Sequence, residues 1–190
     1  ELLTLAETET ARLSAMVGNL LDMNRLEAGA VAVRTAPVMP ADLAGEALRS
    51  AALALAARQV VNEVSADAPP LMVDASLFER ALANVLENAG KYAPAGSTIR
   101  LRSGAEAGFG WIEVEDQGPG FPDGVEPMFE KFSRGVAGDG RPPGTGLGLA
   151  IARGFLEAQG GRVEAENLAG GKGARVRLSA PLALAPVEPA

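Results

Sequence analysis

Along residues 1–27 apolar positions recur at alternating three- and four-residue steps, at Leu3, Ala6, Leu13, Val17 and Leu20, with polar Thr10 and Asn24 on the same line. That spacing predicts an amphipathic helix with a seam that needs a partner, and polar groups in such a seam fix register at some cost in stability. Gly29 supplies the stop. Such a helix either docks on its own domain or belongs to a dimeric bundle. The bundle is favoured, because a lone helix this long is unstable in water without packing.

Beyond Gly29 the periodicity changes repeatedly. Val31 and Val33 alternate with small or polar residues and predict a short strand before a break at residues 37–40. Leu43, Ala47, Leu48, Ala51 and Leu55 lie on one helical face. Residues 60–64 read as a strand, Pro69-Pro70 as a break, and residues 71–73 as an extended piece. Asp74 is placed to cap a helix over residues 75–93. Residues 98–102 and 111–115 alternate as two strands that pair around turn material at 104–110. Trp111 opens the second of these and is expected in the core. A Gly- and Pro-rich stretch over 118–144 has the character of a functional loop. A helix over 147–159 follows, then a hairpin of 162–166 with 174–179, and a frayed Pro- and Ala-rich tail from Pro181.

Composition excludes several classes of function. The 190 residues are 47% hydrophobic and 22% charged, enough for one good core with an appendage. A formal net charge of -7 argues against a nucleic-acid partner, since phosphate contacts need concentrated Lys and Arg. Zero cysteines remove disulfides and thiolate metal sites, and zero histidines remove an imidazole base, ligand or phosphoacceptor. No apolar run reaches the length of a membrane span and the acidic start is no signal peptide, so a cytosolic chain without membrane contact is expected.

Three segments in fixed order carry the chemistry. Asn84-Val85-Leu86-Glu87-Asn88-Ala89 puts two amides four residues apart on one helix face, with Lys91 and Tyr92 one turn on. Asn oxygens are hard neutral donors suited to Mg²⁺, with Asn88 the first candidate ligand and Asn84 the second. Lys91 can meet phosphates, and Tyr92 can flank a base or ribose. Alone, this spacing equally fits an exposed polar helix face. Asp116-Gln117-Gly118-Pro119-Gly120 ends a strand in a turn where Gly118 and Gly120 allow close main-chain approach to a ligand. Its carboxylate can accept the exocyclic amine hydrogen of adenine, where guanine presents an acceptor instead. Alone, it is also an acidic turn. Gly144-Thr145-Gly146-Leu147-Gly148-Leu149 runs into a helix start, a natural anion site, and lacks the Gly-Lys-Ser/Thr of a Walker loop. Together the three read as an ATP site.

This combination resembles the ATP-binding catalytic domain of sensor histidine kinases, in the superfamily that also holds DNA gyrase B, Hsp90 and MutL. Residues 84–92 look like its N box, 116–120 its G1 box, Met128-Phe129-Glu130-Lys131-Phe132 its F box and 144–149 its G2 box. Residues 20–29 look like the end of the second dimerisation helix. Finer details, such as Glu87-Asn88-Ala89-Gly90-Lys91-Tyr92, are most similar to KdpD-type osmosensitive potassium sensor kinases.

The resemblance implies an α/β (α+β) two-layer sandwich, a mixed five-stranded sheet against about three helices, with an ATP lid over 118–149. Residues 1–29 would be the dimerisation helix, 30–180 the catalytic domain and 181–190 a flexible tail. Asp116 would contact adenine, Asn88 would hold Mg²⁺, and Lys91 and Arg134 would face phosphates. Phe132, Gly144, Thr145, Gly146, Leu147, Gly148 and Leu149 would complete the ATP site. Such enzymes pass the γ-phosphate of ATP to a histidine on the dimerisation helices and then to a response regulator receiver domain. They act as homodimers, in the cytosolic part of a membrane-anchored sensor. With no histidine, this chain would be either a fragment starting after the phosphoacceptor helix, the favoured reading, or a degenerate kinase. Gln159 departs from the His that many relatives carry before the Gly-Gly turn. Two rivals remain: a nucleotide-gated pseudokinase or adaptor, and a clamp-type ATPase. Clamp ATPases place Glu at the position of Asn84 to activate water; an amide is no general base, so slow hydrolysis is expected.

Overall fold

A computed structural model of the chain describes residues 2–121, 125–131, 146–170 and 172–183, with the backbone alone at 2–9, 11, 12 and 15. The long helix α1 (Leu2–Glu27) leads into a domain of seven strands and four further helices among these residues. β1 (Ala36–Val38) is followed by α2 (Pro40–Ser50), α3 (Ala52–Leu55), β2 (Gln59–Glu63), β3 (Leu71–Val73) and α4 (Ala75–Tyr92). β4 (Thr98–Glu106), β5 (Phe109–Glu115), a 3-10 turn (Glu126–Phe129), α5 (Gly148–Ala158), β6 (Arg162–Asn167) and β7 (Ala174–Pro181) complete it. The main sheet has the order β2-β4-β5-β7-β6, with β2 parallel to β4 and every other pair antiparallel. It is the expected mixed five-stranded sheet.

The two layers follow from strand alternation. Ile99, Leu101, Ile112, Val114, Val176 and Leu178 turn inward, and Leu43, Phe78, Leu82, Leu86, Ile151 and Phe155 of the helices meet them in one buried cluster. The opposite face carries ordered charge instead of a second helical layer. Glu63, Arg102, Glu113, Arg177 and Glu164 lie side by side across the five strands. Arg100, Glu115, Arg175 and Glu166 form the next row. Cross-strand neighbours of opposite sign stabilise a sheet and keep this face wettable. Glu113 is buried at 3% exposure and accepts two hydrogen bonds from Arg177, at 3.0 and 2.7 Å.

Five sequence expectations are corrected here. The strand expected around Val31 and Val33 forms at Ala36–Val38, where β3 offers a partner in the register Ala36↔Val73; Pro37, lacking N–H, is tolerated at a sheet edge. The single helix expected through Leu55 breaks at Ala51 (φ -87, ψ 3). The break brings the Ala54 carbonyl onto Gly90 of α4, where a Cβ would lie 2.5 Å from that oxygen. Residues 104–110 are mostly strand, the turn being Ala107 (φ 52) and Gly108 (φ 82). Gly104 is there for Trp111, whose indole lies 2.3 Å from where a Cβ would stand. Trp111 itself is half-buried on the charged outer face with the Arg177 guanidinium 4.3 Å from its ring centroid, because Ile112 and Val114 take the inward phase. The tail, too, is paired further than expected. β7 reaches Pro181, Leu182 bridges Leu71, and the Ala183 N–H donates to Pro70 O at 2.8 Å.

Helix α1 is docked at its C-terminal end, and several of its described apolar side chains further back are exposed. Buried Asp22 pairs with Arg80 of α4, Glu27 pairs with Lys131, and Leu26 sits on Gly154 of α5, 2.8 Å from the position of a Cβ. The Arg80 guanidinium also lies 5.1 Å from the Phe155 ring centroid. Leu13, Val17 and Leu20 of the seam stand exposed, at 61%, 55% and 38%.

Candidate functional site

The site begins at the far end of α4. Asp74 caps that helix, its Oδ1 accepting from the Leu77 N–H at 3.3 Å. The buried face of Phe78, Leu82, Val85 and Leu86 fixes the helix roll, so Asn84 and Asn88 emerge together at the edge of the core, both half-buried. Helix α5 runs back against α4 and starts there. A Cβ on Gly148 would lie 3.6 Å from Asn88 Nδ2 and 3.9 Å from Asn84 Cγ, so the bare glycine lets the start of α5 reach the two amides. The N-cap residue Leu147 makes no side-chain cap bond, and the first-turn N–H groups of α5 emerge at this end of the helix. Gly146, just before it, has φ +67.

The second wall comes from the end of β5. The Asp116 N–H donates to Ala174 O at 2.9 Å, holding the carboxylate at the sheet's end, and Oδ1 accepts from the Gly118 N–H at 2.7 Å. Gly118 is buried; a Cβ would stand 2.8 Å from Asp116 Oδ1 and 3.2 Å from Tyr92 O. The glycine turn is thus pressed onto the last turn of α4. Burial pushes the Asp116 carboxyl above the usual carboxylate range, opposed by the N–H bonds from Gly118 and with Ala174. A partly dry carboxylate with acceptor capacity left over suits a ligand N–H donor. Lys91 lays its ammonium 4.7 Å from the Tyr92 ring centroid, so the two side chains form one flank.

Asn84, Asn88, Tyr92, Asp116, Gly118 and Gly148 therefore lie around the junction of α4, α5 and the β5 turn. Leu147 and Leu149 are buried at 0% and 7% exposure, with their side chains in the core. Phe132, Arg134, Gly144 and Thr145 lie outside the described residues, as does most of the expected lid. Two polar side chains make bonds that the sequence did not specify, Gln159 away from the site and Asn167 beside its glycine turn. Gln159, 7% exposed, accepts from the Asp74 N–H at 2.9 Å and donates to Phe155 O at 3.0 Å, tying the start of α4 to the end of α5. Asn167 bonds the Phe121 backbone through both its amide atoms. The only sequence signal for the first was its departure from the related His; the second had none.

Residues 73–184 match the family described as histidine kinase-, DNA gyrase B-, and HSP90-like ATPase. The chain is 37% identical over 180 residues to the sensor protein KdpD of Mycobacterium tuberculosis, covering 90% of this chain and 20% of that protein. It is 38% identical over 176 residues to the sensor protein KdpD of Escherichia coli K12, covering 90% and 19%. The chain thus spans about a fifth of the length of these relatives. Among solved structures, full-length ShkA in complex with AMPPNP superposes with a TM-score of 0.74 at 31% identity, over 92% of this chain and 36% of that one.

Proposed function

Because the chain belongs to the family of histidine kinase-, DNA gyrase B- and HSP90-like ATPases, we propose that it is the ATP-binding catalytic part of a two-component sensor histidine kinase of the KdpD kind. The observation that carries this is the meeting of Asn84 and Asn88 with the start of α5 at Gly148, beside a turn that presses Gly118 onto Tyr92 and leaves Asp116 at the same mouth. The ShkA structure, which holds an ATP analogue, supports the same ligand class. Asp116 receives the adenine amine. Tyr92 and Lys91 flank the nucleotide, with Lys91 toward the phosphates. The α5 N-terminus and the main chain of 146–149 receive phosphate oxygens. Phe132, Arg134, Gly144 and Thr145 belong to the same proposal on the motif alone.

The donor set fits Mg²⁺. Two side-chain amides, whose oxygens are hard donors, lie beside the helix start, and among the described residues no cluster of three acidic side chains exists to hold a metal without phosphate. Asn88, seconded by Asn84, would hold the ion, which screens phosphate charge and leaves the terminal phosphorus open to attack. Asn84 at the position of a clamp ATPase's base, with Glu87 turned about 100° away from Asn88 and exposed, favours transfer over hydrolysis.

The γ-phosphate acceptor is a histidine outside these residues, on a bundle that the exposed Leu13, Val17 and Leu20 seam would complete with a second copy. A response regulator receiver domain takes the phosphate next. The cytosol of a membrane-anchored sensor is the proposed setting; among the described residues no helix is long and apolar enough to cross a membrane. The test mixes this chain with γ-labelled ATP and a separate dimerisation fragment carrying the histidine. Label on the fragment supports the kinase. Tight ATP binding without transfer points to an adaptor, and rapid phosphate release into solution to a clamp ATPase.

A further inference from the structure

The β6–β7 hairpin lies directly behind the Asp116–Gly120 turn and is bonded to it at several points. The Gly173 N–H donates to Gly118 O at 2.7 Å, and the Asp116 N–H donates to Ala174 O at 2.9 Å. A Cβ on Gly173 (φ +102) would stand 2.4 Å from Asp116 O. These contacts hold the first half of the turn. Among the described residues, its exit is held by the Asn167 side chain. Asn167, at the end of β6, accepts from the Phe121 N–H through Oδ1 at 2.7 Å and donates to Phe121 O through Nδ2 at 3.0 Å. The amide thus pairs with a backbone residue as a neighbouring strand would, in a planar two-bond arrangement that only Asn or Gln can offer. Gly120 makes room for it: a Cβ there would lie 2.5 Å from Asn167 Oδ1 and 3.2 Å from its Cγ, and φ is +72.

We propose that Asn167 is a positioning residue for base recognition, fixing the exit of the glycine turn so that Asp116 and the Gly118 main chain hold one geometry toward an adenine ring. This rests on the nucleotide-site reading above. Among the described residues, the side-chain hydrogen bonds of Asn167 both go to Phe121 at the exit of the glycine turn, on the base side of the site, while the phosphate side is built by α4 and α5.

The test uses Asn167→Asp and Asn167→Ala, each checked by a thermal scan and titrated where it is fully folded. The Asp variant is isosteric and keeps the acceptor but cannot donate to Phe121 O when ionised. The probes are a non-hydrolysable ATP analogue with Mg²⁺ and inorganic tripolyphosphate with Mg²⁺, the second read by competition against a fluorescent ATP analogue. Both variants should bind the ATP analogue about tenfold more weakly, as expected for losing one or two hydrogen bonds that set a site, with tripolyphosphate affinity unchanged. Equal weakening of both probes, no weakening of either, or loss of the fold in both variants makes Asn167 a residue of stability alone and overturns the proposal. Failure of the unaltered chain to bind the ATP analogue overturns the nucleotide site itself. Binding by the unaltered chain with Asn167-insensitive affinity sinks only this inference.

Discussion

Asp116→Asn separates what the carboxylate does for a ligand from what it does for the fold. The amide has the same shape and can still accept from the Gly118 N–H, now 2.7 Å from Oδ1. What remains for a ligand is an NH₂ group, which meets the adenine amine donor to donor. A hydrogen bond to a charged group contributes about 1.5–3 kcal/mol, and about 1.4 kcal/mol corresponds to a tenfold change, so the ATP dissociation constant should rise roughly 10- to 100-fold. The discrimination against GTP should shrink, because guanine offers the acceptor that the new amide can use. Stability should move the other way. Burial raises the Asp116 carboxyl above its ordinary range, so holding it ionised at neutral pH costs the apo fold, and the neutral amide removes that cost. Calorimetric titration with a non-hydrolysable ATP analogue, beside thermal scans of the apo protein, measures both. An unchanged dissociation constant in a folded variant would take Asp116 out of the pocket and refute the reasoning.

The same group gives the pH dependence a sign. With a native pKa raised above the unfolded value of about 3.9, the native state takes the proton first as pH falls, so Asp116 adds apo stability on acidification while ATP affinity declines in the same window; titrations from neutral pH downward check both trends. Asp74 behaves oppositely. Desolvation raises it, but the N–H of Arg34, the Ser76 hydroxyl and the N–H groups of Leu77 and Ser76 outweigh that and hold it below its usual range, so its contribution is lost as pH falls through the native value. Asp74→Ala should cost about 0.5–2 kcal/mol in denaturant unfolding at neutral pH. Gln159→Leu strands the Asp74 N–H and Phe155 O and should cost about 1–3 kcal/mol by the same measurement; an unchanged midpoint would show that neither bond matters. Asp22→Ala should free the end of α1 from Arg80, seen as faster proteolytic cutting near Glu27 with the domain core still protected.

The sequence by itself determined most of the elements and the motifs that carry candidate chemistry. Period-two runs such as Ile99/Leu101 and Ile112/Val114 specified strands, and the 3.6-residue pattern of α4 put Asn84 and Asn88 side by side, because these are properties of local geometry. It also carried the motif order that made a nucleotide site readable. The tertiary structure alone decided what depends on which chain segment lies opposite. Gly104 in a hairpin looks like a turn until Trp111 is seen to occupy its missing Cβ, and Trp111 looks like core until the strand's phase puts it beneath Arg177. Leu147 and Leu149 sit within a glycine-rich motif yet point inward, because the core takes their side chains. Asn167 and Gln159 act 46 and 85 positions away from their partners Phe121 and Asp74. No local pattern encodes such pairings, since an amide's partner is fixed only when sheet register and helix packing bring two distant backbones within hydrogen-bond reach.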